Sequence, residues 1–484
     1  MRIISSNFVI VILFICSLVS CTPQKTPPNI IFLLVDDLGW NDVGCYGSTF
    51  YETPNIDRLA KEGMRFTNAY AACPVCSPTR ASILTGKYPA RLNITDWIPG
   101  FDPKNRPLLG TQDKHELPLE EITIAESLKQ AGYQTAFMGK WHLGEPGFFP
   151  ENQGFDINIG GHWAGQPASY FYPYKNDRKR WDVPGLDGGK EGEYLTDRLT
   201  NESLSFIEDN KNNPFLLYFA YYNVHTPIQA KPELVAKYEE KKGKIISSDG
   251  LNYLDERAAS TKQKQDNPAY AGMVQSVDES VGNILNKLTE LGLMENTIIV
   301  FTSDNGGLTT LSKGRKSPTS VVPLRAGKGW IYEGGIRIPT IMKWTQQIPE
   351  NSICEVPITS TDFYPTLLEL TELPQVPNQH MDGKSLVPLF KNTNTFSREA
   401  LYWHFPHYHG SLNRPVAAVR SANYKLIQWF EDDALELYDL EADLGERENL
   451  VKTLPEKTAE LKKLLQNWQQ EIGAKMPIQN PNYK

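Results

Sequence analysis

The most informative pattern in this sequence is a series of apolar runs that alternate with segments of helical spacing. The run Asn29–Val35 is continuously apolar, as in a strand that is buried on both faces of a sheet. Further strands are predicted at 133–139, 214–223 and 297–303, and helices at 53–66, 118–132, 197–210 and 270–291. Because strands and helices alternate, the sequence predicts an α/β fold with a large, mainly parallel or mixed central sheet that is flanked by helices.

The pattern changes after about Leu389. Short strands are predicted to begin at Ala400, Val416, Tyr424 and Leu435. An amphipathic helix follows at 455–472, so this region predicts a smaller antiparallel sheet with one packed helix. A chain of 484 residues is long enough for two or three units of about 150 residues. We therefore expect a large domain at 29–389 and a C-terminal subdomain at 390–484.

The first residues are typical of an export signal rather than of a folded domain. Arg2 precedes an apolar stretch at 8–19 that is too short to span a bilayer. Residues 18–21 (LVSC) resemble a bacterial lipobox, which predicts a signal peptide at 1–20, lipidation of Cys21 and a short tether at 21–28. The alternative is an ordinary signal peptide that contains a cysteine. We expect an exported protein that is anchored to a bacterial membrane and, because no acidic run follows Cys21, faces the periplasm.

Charge and cysteine usage exclude several classes of protein. The chain has 49 basic and 57 acidic residues and a formal net charge of −8, so it lacks the basic field that binds nucleic acid. Six cysteines in 484 residues do not make a disulfide scaffold, and their spacing matches no zinc site. The sequence does not decide whether Cys45, Cys73 or Cys354 pair in a disulfide.

Polar residues follow four of the predicted strands at the points where the apolar residues stop. They are Asp36, Asp37, Lys140, His142, His225, Asp304 and Asn305. In an open α/β sheet, ligands bind beyond the carboxyl ends of the strands. Any one of these residues could be a helix cap or a turn residue, but four such strand ends together favour a functional site.

The types of these side chains indicate a chemistry. The acidic and amide residues of the set offer only oxygen ligands, which suit Ca²⁺ or Mg²⁺. The lysines and histidines of the set, together with Lys328, carry positive charge or transfer protons. A metal ion combined with such groups suits an anionic, oxygen-rich substrate such as a phosphate or sulfate ester.

The segment 76–86 (CSPTRASILTG) adds a candidate nucleophile. Pro78 marks a predicted helix start, so Cys76 would lie at a helix N-terminus, where backbone N–H groups favour an anion. An unmodified thiolate there could be a nucleophile with a lowered pKa. However, no base is adjacent in the sequence, and a soft thiolate is a poor match for a hard metal ion.

Residues 76–80 (CSPTR), with Leu-Thr-Gly at 84–86, resemble the signature of the type I sulfatases of the alkaline-phosphatase superfamily. Thr79 departs from the serine that many members have at that place. Further similar motifs lie, in the family's order, at 33–40, 53–63, 139–144, 303–307 and 326–339. The resemblance implies a sulfuric ester hydrolase with one Ca²⁺ ion. It also implies that a formylglycine-generating or an anaerobic sulfatase-maturating enzyme oxidises Cys76 to formylglycine.

The resemblance further implies a role for each matching residue. Ca²⁺ would be bound by Asp36, Asp37, Asp304, Asn305 and the formylglycine from Cys76. Arg80 and Lys140 would hold the oxygens of the formylglycine and the oxygens that face the metal ion. Lys328 and His225 would contact the sulfate and the leaving oxygen, with His225 as general acid. One oxygen of the hydrated formylglycine would attack sulfur, and His142 would then take a proton from the second hydroxyl, which expels sulfate and restores the aldehyde.

Export, the predicted anchor and the many aromatic residues favour a sulfated carbohydrate as substrate. We expect an exo-acting glycan O-sulfatase, with a 4-O-sulfate of galactose or N-acetylgalactosamine as the first candidate and a 6-O-sulfate as the next. The candidate sugar-binding residues are His162, Trp163, His404, His407 and His409. The alternative for these positions is surface-loop histidines and core aromatic residues.

Two other functions stay open. One is a phosphate or phosphonate monoester hydrolase of the same superfamily, which can share the modified cysteine. The other is a non-catalytic lipoprotein that binds glycans. A dead site is disfavoured because no residue that the family's chemistry needs is missing from this sequence.

Overall fold

The structure is a computed structural model that describes residues 26–483, apart from residue 180, residues 245–249 and residue 394. The predicted signal peptide at 1–20, the predicted lipidation site Cys21 and most of the predicted tether lie outside the described residues. Within the described part of the chain, no helix has the length and apolar character needed to cross a membrane.

The regular elements follow each other in the alternating order that the sequence predicts for the large domain. The strands are β1 (Asn29–Val35), β2 (Met64–Phe66), β3 (Ala69–Tyr70), β4 (Leu108–Leu109), β5 (Gln134–Gly139), β6 (Ile157–Ile159), β7 (Phe215–Ala220), β8 (Tyr253–Glu256), β9 (Ala259–Lys262), β10 (Thr297–Ser303), β11 (Thr310–Ser312), β12 (Thr340–Lys343), β13 (Ser352–Cys354), β14 (Ile358–Thr359), β15 (Leu401–Phe405), β16 (Val416–Ser421), β17 (Tyr424–Trp429), β18 (Leu435–Asp439) and β19 (Ile478–Gln479). The α-helices are α1 (Pro54–Lys61), α2 (Cys76–Thr85), α3 (Pro89–Leu92), α4 (Ile124–Gln130), α5 (Leu195–Asp209), α6 (Pro232–Lys244), α7 (Pro268–Glu290), α8 (Glu333–Ile336), α9 (Phe363–Leu370), α10 (Val387–Phe390) and α11 (Pro455–Glu471).

Eight strands form the central sheet, in the order β13, β2, β12, β10, β1, β7, β5 and β6. Strand β1 pairs in parallel with β10 and β7, and β5 pairs in parallel with β7 and β6. Strand β12 is antiparallel to both β10 and β2, so the sheet is mixed. This arrangement confirms the predicted α/β fold class.

The central sheet is buried on both faces, which explains why β1 is apolar along most of its length. The odd-numbered residues Ile31, Leu33 and Val35 belong to a cluster that also contains residues of α1, α5 and α7. The even-numbered apolar residues of the strand join the opposite cluster, with residues of α2, α4 and α9. Since burial of one large apolar side chain contributes about 1.5–3 kcal/mol, this single strand anchors both halves of the core.

Two of the predicted helices are shorter than their sequence patterns indicate. The helix predicted at 53–66 ends at Lys61, and its last predicted residues form β2 instead. Gly63 allows the chain to approach β12 closely before β2 begins, because a side chain at this position would collide with the backbone oxygen of Met342. The helix predicted from residue 118 starts only at Ile124, where Thr123 and Glu126 form a capping box.

The C-terminal region forms a four-stranded antiparallel sheet of β15, β16, β17 and β18. Helix α11 packs Leu461 and Trp468 against one face of this sheet, where Val419 lies. The other face meets aromatic residues of the large domain, including Trp330. The predicted antiparallel sheet is therefore present, while the boundary at residues 389 and 390 stays a prediction.

The sequence left open whether Cys45, Cys73 or Cys354 form a disulfide, and the structure answers this for the described residues. Cys45, Cys73, Cys76 and Cys354 are free thiols. No disulfide therefore joins the two sheets in the described part of the chain, and packing and polar contacts hold them together.

Candidate active site

Four neighbouring strands of the central sheet end at the same edge. In the pairing register, Val35 of β1 lies beside Ser303 of β10, and Leu34 lies beside Ala220 of β7. Ala220 in turn lies beside Gly139 of β5. The polar residues that follow these strands in the sequence are therefore brought together at one edge of the sheet.

Asp36, Asp37 and Asp304 form a buried carboxylate cluster at this edge. One oxygen of each carboxylate lies within 4.8 Å of the others. Asn305 donates from Nδ2 to Asp37 Oδ1 at 2.8 Å. Among the described residues, the Oδ1 atoms of Asp36 and Asn305 are buried and accept no hydrogen bond. Because buried oxygens normally have a partner, this set of hard oxygen donors fits a cation such as Ca²⁺.

Two lysines offset part of the negative charge of this cluster. Lys140 Nζ lies 2.7 Å from Asp36 Oδ2, and Lys328 Nζ lies 2.5 Å from Asp37 Oδ1. Burial raises the pKa of Asp36 well above its usual value, although the charge of Lys140 opposes this. Burial alone would also raise the pKa of Asp37, but the charges of Lys328, His225 and Lys140 together outweigh it and hold that pKa below its usual value. Added positive charge beside Asp36 would therefore favour the ionised form of its carboxyl group.

Helix α2 carries two of the predicted site residues. Cys76 occupies its first position, after Val75 in an extended conformation, and Arg80 lies about one turn further along the same face. Arg80 donates from Nε to Asp304 Oδ2 at 2.8 Å and from Nη1 to the backbone oxygen of Lys140 at 2.6 Å. These contacts join α2 to the ends of β10 and β5, so they set the distance between Cys76 and the carboxylates.

The imidazole of His142 lies directly beside Cys76. Its Nδ1 is 3.3 Å from Cys76 Sγ, and its Nε2 is 2.6 Å from the backbone oxygen of Ile98. Since a carbonyl oxygen only accepts, Nε2 carries the proton of the neutral ring and Nδ1 is an acceptor toward residue 76. Burial, together with the charge of Lys140, lowers the pKa of His142 well below its usual value. His142 is therefore a neutral proton acceptor for the group at residue 76.

His225 lies beside the cluster, with Nε2 3.7 Å from Asp37 Oδ2. Its Nδ1 donates to the backbone oxygen of Thr226 at 2.9 Å, so Nε2 is unprotonated in the neutral ring. Burial and the charge of Lys328 lower the pKa of His225 to about 3. A proton can leave from Nε2 only if the ring is an imidazolium, a form that a bound anion would favour.

A cavity of about 490 Å³ contains most of the predicted catalytic groups. Its polar and charged lining consists of Asp37, Cys76, His142, Gln166, His225, Thr226, Arg315, Lys328 and His409. Its aromatic lining consists of Trp97, Phe101, Trp163 and Trp181. Trp163 is 40% exposed, and its ring centroid lies 5.3 Å from that of Trp181. Aromatic faces next to cationic groups suit a ligand that combines a sugar ring with an anionic group.

Two of the five predicted sugar-binding residues, Trp163 and His409, line this cavity. His409 Nδ1 accepts from the backbone N–H of Ser411 at 3.2 Å, which leaves Nε2 as the donor of the neutral ring. His162 is buried outside the cavity lining. Its backbone oxygen accepts from the N–H of His142 at 3.1 Å, so it supports the position of His142 instead.

The structure does not bring His404 and His407 into the cavity, contrary to the prediction. Both ring nitrogens of His404 are used within the C-terminal subdomain, with Nε2 2.8 Å from the backbone oxygen of Lys475 and Nδ1 3.1 Å from Gln469 Nε2. His407 Nε2 lies 2.7 Å from Thr95 Oγ1. Both rings are buried and hydrogen-bonded to protein groups, so they join elements rather than face a ligand.

Several residues of the cavity were not predicted from the sequence. Trp97, Phe101, Gln166 and Trp181 come from loops, where no periodic pattern indicates the direction of a side chain. Arg315 belongs to a short basic run at 313–316, and this charge pattern was the available signal for a binding surface.

Comparison with known proteins shows the family to which this chain belongs. The family described as "Sulfatase" matches residues 28–373, and the family described as "N-sulphoglucosamine sulphohydrolase, C-terminal" matches residues 326–473. A protein named sulfatase from Formosa agariphila is 32% identical over 88% of this chain and 85% of its own length. The N-acetylgalactosamine-6-sulfatase of Canis lupus familiaris is 33% identical over 83% of this chain and 72% of its own length.

A solved structure shows the same similarity at the level of the fold. It is that of Ps i-CgsB in complex with k-i-k-neocarrahexaose, which is 30% identical, covers 95% of both chains and has a TM-score of 0.74. The match to the family described as "Sulfatase" includes the central sheet and the strand-end residues, and the C-terminal match includes the small antiparallel sheet. The chain belongs to the sulfatase family of the alkaline-phosphatase superfamily and is a sulfuric ester hydrolase.

Proposed function

We propose that this sulfatase removes an O-sulfate group from a carbohydrate, with a formylglycine made from Cys76 as its nucleophile and Ca²⁺ as its metal. The observation that carries the proposal is the placement of Cys76. Its Sγ lines the cavity 3.3 Å from the accepting nitrogen of His142, in the same cavity as Lys328 and His225. A nucleophile precursor, a base and cationic groups therefore share one site with access to a ligand.

The calcium ion would be held by Asp36, Asp37, Asp304 and Asn305. Support comes from their hard oxygen atoms and from the two buried Oδ1 atoms that accept no hydrogen bond within the described structure. When bound, the ion would supply positive charge against the oxygens of the sulfate group. Lys140 and Arg80 hold the surrounding carboxylates through the ion pairs described above.

The chain's own residues would orient the reacting groups and move protons. A formylglycine at residue 76, made by a dedicated maturating enzyme, supplies the hydroxyl nucleophile. Nδ1 of His142 would accept a proton from the group at residue 76, since the Ile98 carbonyl holds the ring in the matching tautomer. Lys328 would contact the sulfate, and His225 would protonate the leaving sugar oxygen in its imidazolium form.

The substrate that we propose is a terminal galactose or N-acetylgalactosamine with a 4-O-sulfate, or next a 6-O-sulfate. Support comes from the similarity to a protein named N-acetylgalactosamine-6-sulfatase and to a structure solved with k-i-k-neocarrahexaose. Trp163 and Trp181 would pack against the apolar face of a sugar ring. Nε2 of His409 would donate to a sugar hydroxyl.

We also propose that the protein is exported and lipid-anchored through Cys21, facing the periplasm. The support is the apolar stretch at 8–19 followed by residues 18–21 (LVSC). Metabolic labelling with radioactive palmitate should label the wild type but not the Cys21→Ser variant. Equal labelling of both, or no label in either, would contradict the anchor.

Two measurements test the proposed reaction. Mass spectrometry of the tryptic peptide 66–80 from the native host should show the aldehyde or its hydrate at Cys76, and an unmodified thiol would contradict the proposal. Sulfate release from defined 4-O- and 6-O-sulfated galactose and N-acetylgalactosamine would identify the sugar and position. Faster hydrolysis of small phosphate or phosphonate esters would favour the rival hydrolase.

A further inference from the structure

A second cavity adjoins the active-site cavity. It also has a volume of about 490 Å³, and the two cavities share Thr226, Leu308 and Arg315 in their linings. Thr226 directly follows His225, so the shared border begins next to the proposed general acid. A substrate that is longer than one sugar could therefore extend from the active site past Arg315 into this second cavity.

The second cavity has an excess of positive charge. Its basic lining residues are Lys242, Lys262, Lys264, Arg315 and Lys316, and Asp266 is the acidic residue among the described lining. Asp266 is ion-paired with Lys262 at 2.5 Å. Lys242, Arg315 and Lys316 are exposed and make no ion pair with another described residue. This local excess contrasts with a chain whose net charge is −8.

Not every basic residue of the loop that carries Arg315 lacks an acidic partner. Lys313, two residues earlier, is also exposed but is paired with Asp255 at 2.8 Å and lines neither cavity. The loop is joined to a small sheet of β8, β9 and β11, where Thr261 Oγ1 lies 2.8 Å from Thr310 Oγ1. Arg315 and Lys316 thus extend from a loop that is joined to this sheet, and neither makes an ion pair with another described residue.

We propose that the second cavity is a subsite for a second anionic group, a sulfate ester or a carboxylate, on the sugar next to the one that is cleaved. Arg315 stands at the border and would bind this group, because its planar guanidinium matches the oxygens of sulfate and carboxylate. This inference rests on the proposed glycan sulfatase function and narrows its substrate class. The preferred substrate would be a polyanionic oligosaccharide rather than a singly sulfated sugar.

Matched substrates test the subsite and separate its two possible anions. One pair is a tetrasaccharide that carries the cleaved sulfate alone and the same tetrasaccharide with a second sulfate on the adjacent sugar. The other pair is a sulfated uronate-containing tetrasaccharide and its carboxyl-reduced form. We expect the matured wild-type enzyme to show a KM about tenfold lower for the doubly anionic member of at least one pair, with the preference decreasing at high salt.

Substitutions in the second cavity identify the side chains that are responsible for the preference for a doubly anionic tetrasaccharide. The double substitution Arg315→Ala and Lys316→Ala should remove most of the preference through KM. The single substitution Lys316→Ala, at a residue that lines only the second of the two cavities, should weaken the preference while kcat for a small aryl sulfate stays within about twofold of wild type. Lys313→Ala is the matched control, because it removes a lysine from the same loop and should keep the preference. Equal KM values within both pairs in the wild type, or a preference that the double variant retains, would overturn the inference.

Binding measurements keep the inference separate from the proposed reaction. If the matured enzyme released sulfate from no member of either pair, the proposed function would fail for these substrates. Calorimetric titration of the Cys76→Ala variant with the same four tetrasaccharides then decides the subsite. Tighter binding of a doubly anionic member that Arg315→Ala weakens supports it, and equal binding of all four contradicts it.

Discussion

At the scale of single residues, two contacts hold the ring of His142 in one protonation state. Nε2 donates to the carbonyl of Ile98, and Nδ1 is left to accept from residue 76. Cys73 and Cys76, which are three residues apart, also differ in their surroundings. Cys73 Sγ lies 3.8 Å from the backbone oxygen of Thr95 and is not part of the cavity lining, whereas Cys76 Sγ is. The chemistry of each group follows from these few contacts rather than from its residue type.

Replacement of Cys76 by alanine should reduce sulfate release below detection, because it removes the precursor of the nucleophile. The fold should persist, since the side chain is small and, among the described residues, the hydrogen-bond partner of its Sγ is His142. Turnover of an aryl sulfate and circular dichroism measure the two effects. Cys73→Ala is the matched control and should keep most of the activity, because it removes a buried thiol from the same segment. Substantial activity in Cys76→Ala would overturn the assignment of the nucleophile.

Replacement of His225 by alanine should slow the release of sulfate from a sugar by about 10²–10⁴-fold, the usual range for loss of a general acid. The loss should be much smaller for 4-nitrophenyl sulfate, because a nitrophenolate leaves without a proton. The ratio of kcat values for the two substrates, wild type against variant, measures this difference. His404→Ala should leave the ratio unchanged, since His404 lies outside the cavity. An equal loss on both substrates would contradict the role of His225 as an acid.

At the scale of elements, a buried ion pair joins the C-terminal sheet to the loop region of the active site. Lys425 of β17 lies 3.0 Å from Glu333 Oε1 and 2.8 Å from Glu446 Oε1. All three side chains are fully buried. Glu333 begins α8 five residues after Lys328. The position of Lys328 in the cavity therefore depends on an element that the C-terminal subdomain supports.

Replacement of Lys425 by methionine should lower the free energy of unfolding by about 3–5 kcal/mol, because it leaves the buried Glu446 carboxylate without its cation and leaves Glu333 paired with Arg337 alone among the described residues. Denaturant unfolding measures this loss. Lys462→Met is the control: Lys462 forms a partly exposed pair with Asp433 at 3.2 Å, so its loss should cost under about 1 kcal/mol. Similar losses in the two variants would show that the buried pair adds no stability beyond a surface pair.

At the scale of the whole molecule, an acidic protein concentrates positive charge around one site. The net charge is −8, yet Arg80, Lys140, Lys328 and Arg315 all lie in or around the active-site cavity. The ends of β1 and β10 supply the carboxylates, α2 supplies Arg80, and the segment before α8 supplies Lys328. An anionic substrate is therefore recognised by a local field that only the assembled domain creates.

Calcium should stabilise the whole fold, because its proposed ligands follow two central strands. At a free concentration 100 times its Kd, the ion would add about 2.7 kcal/mol to the free energy of unfolding. Thermal unfolding with calcium and after chelation measures the shift, which Asp304→Ala should abolish. Asp42→Asn is the control and should keep the shift, since hydrogen bonds from Tyr270 and Thr319 already satisfy its buried oxygens. No shift in the wild type would contradict a structural calcium site.

Much of the fold was predictable from the sequence because its signals are local. The continuous apolar run of β1 indicates burial on both faces, and Asp36 and Asp37 mark its end at the ligand-binding edge of the sheet. Elements with weaker local signals were missed. The small sheet of β8, β9 and β11 has short strands that carry polar residues, and neither it nor α6 was predicted.

The sequence by itself determined the fold class, the strand-end residues and the segment that starts at Cys76, because hydrophobic periodicity and local motifs encode these features over a few residues. Only the tertiary structure decided which loop side chains reach the cavity. His407 meets Thr95, 312 positions away, while His409, two residues later, lines the cavity instead. Arg315 and Trp181 likewise reach the cavity from loops. The direction in which a loop side chain points is set by contacts between distant segments, and no pattern along the chain carries that information.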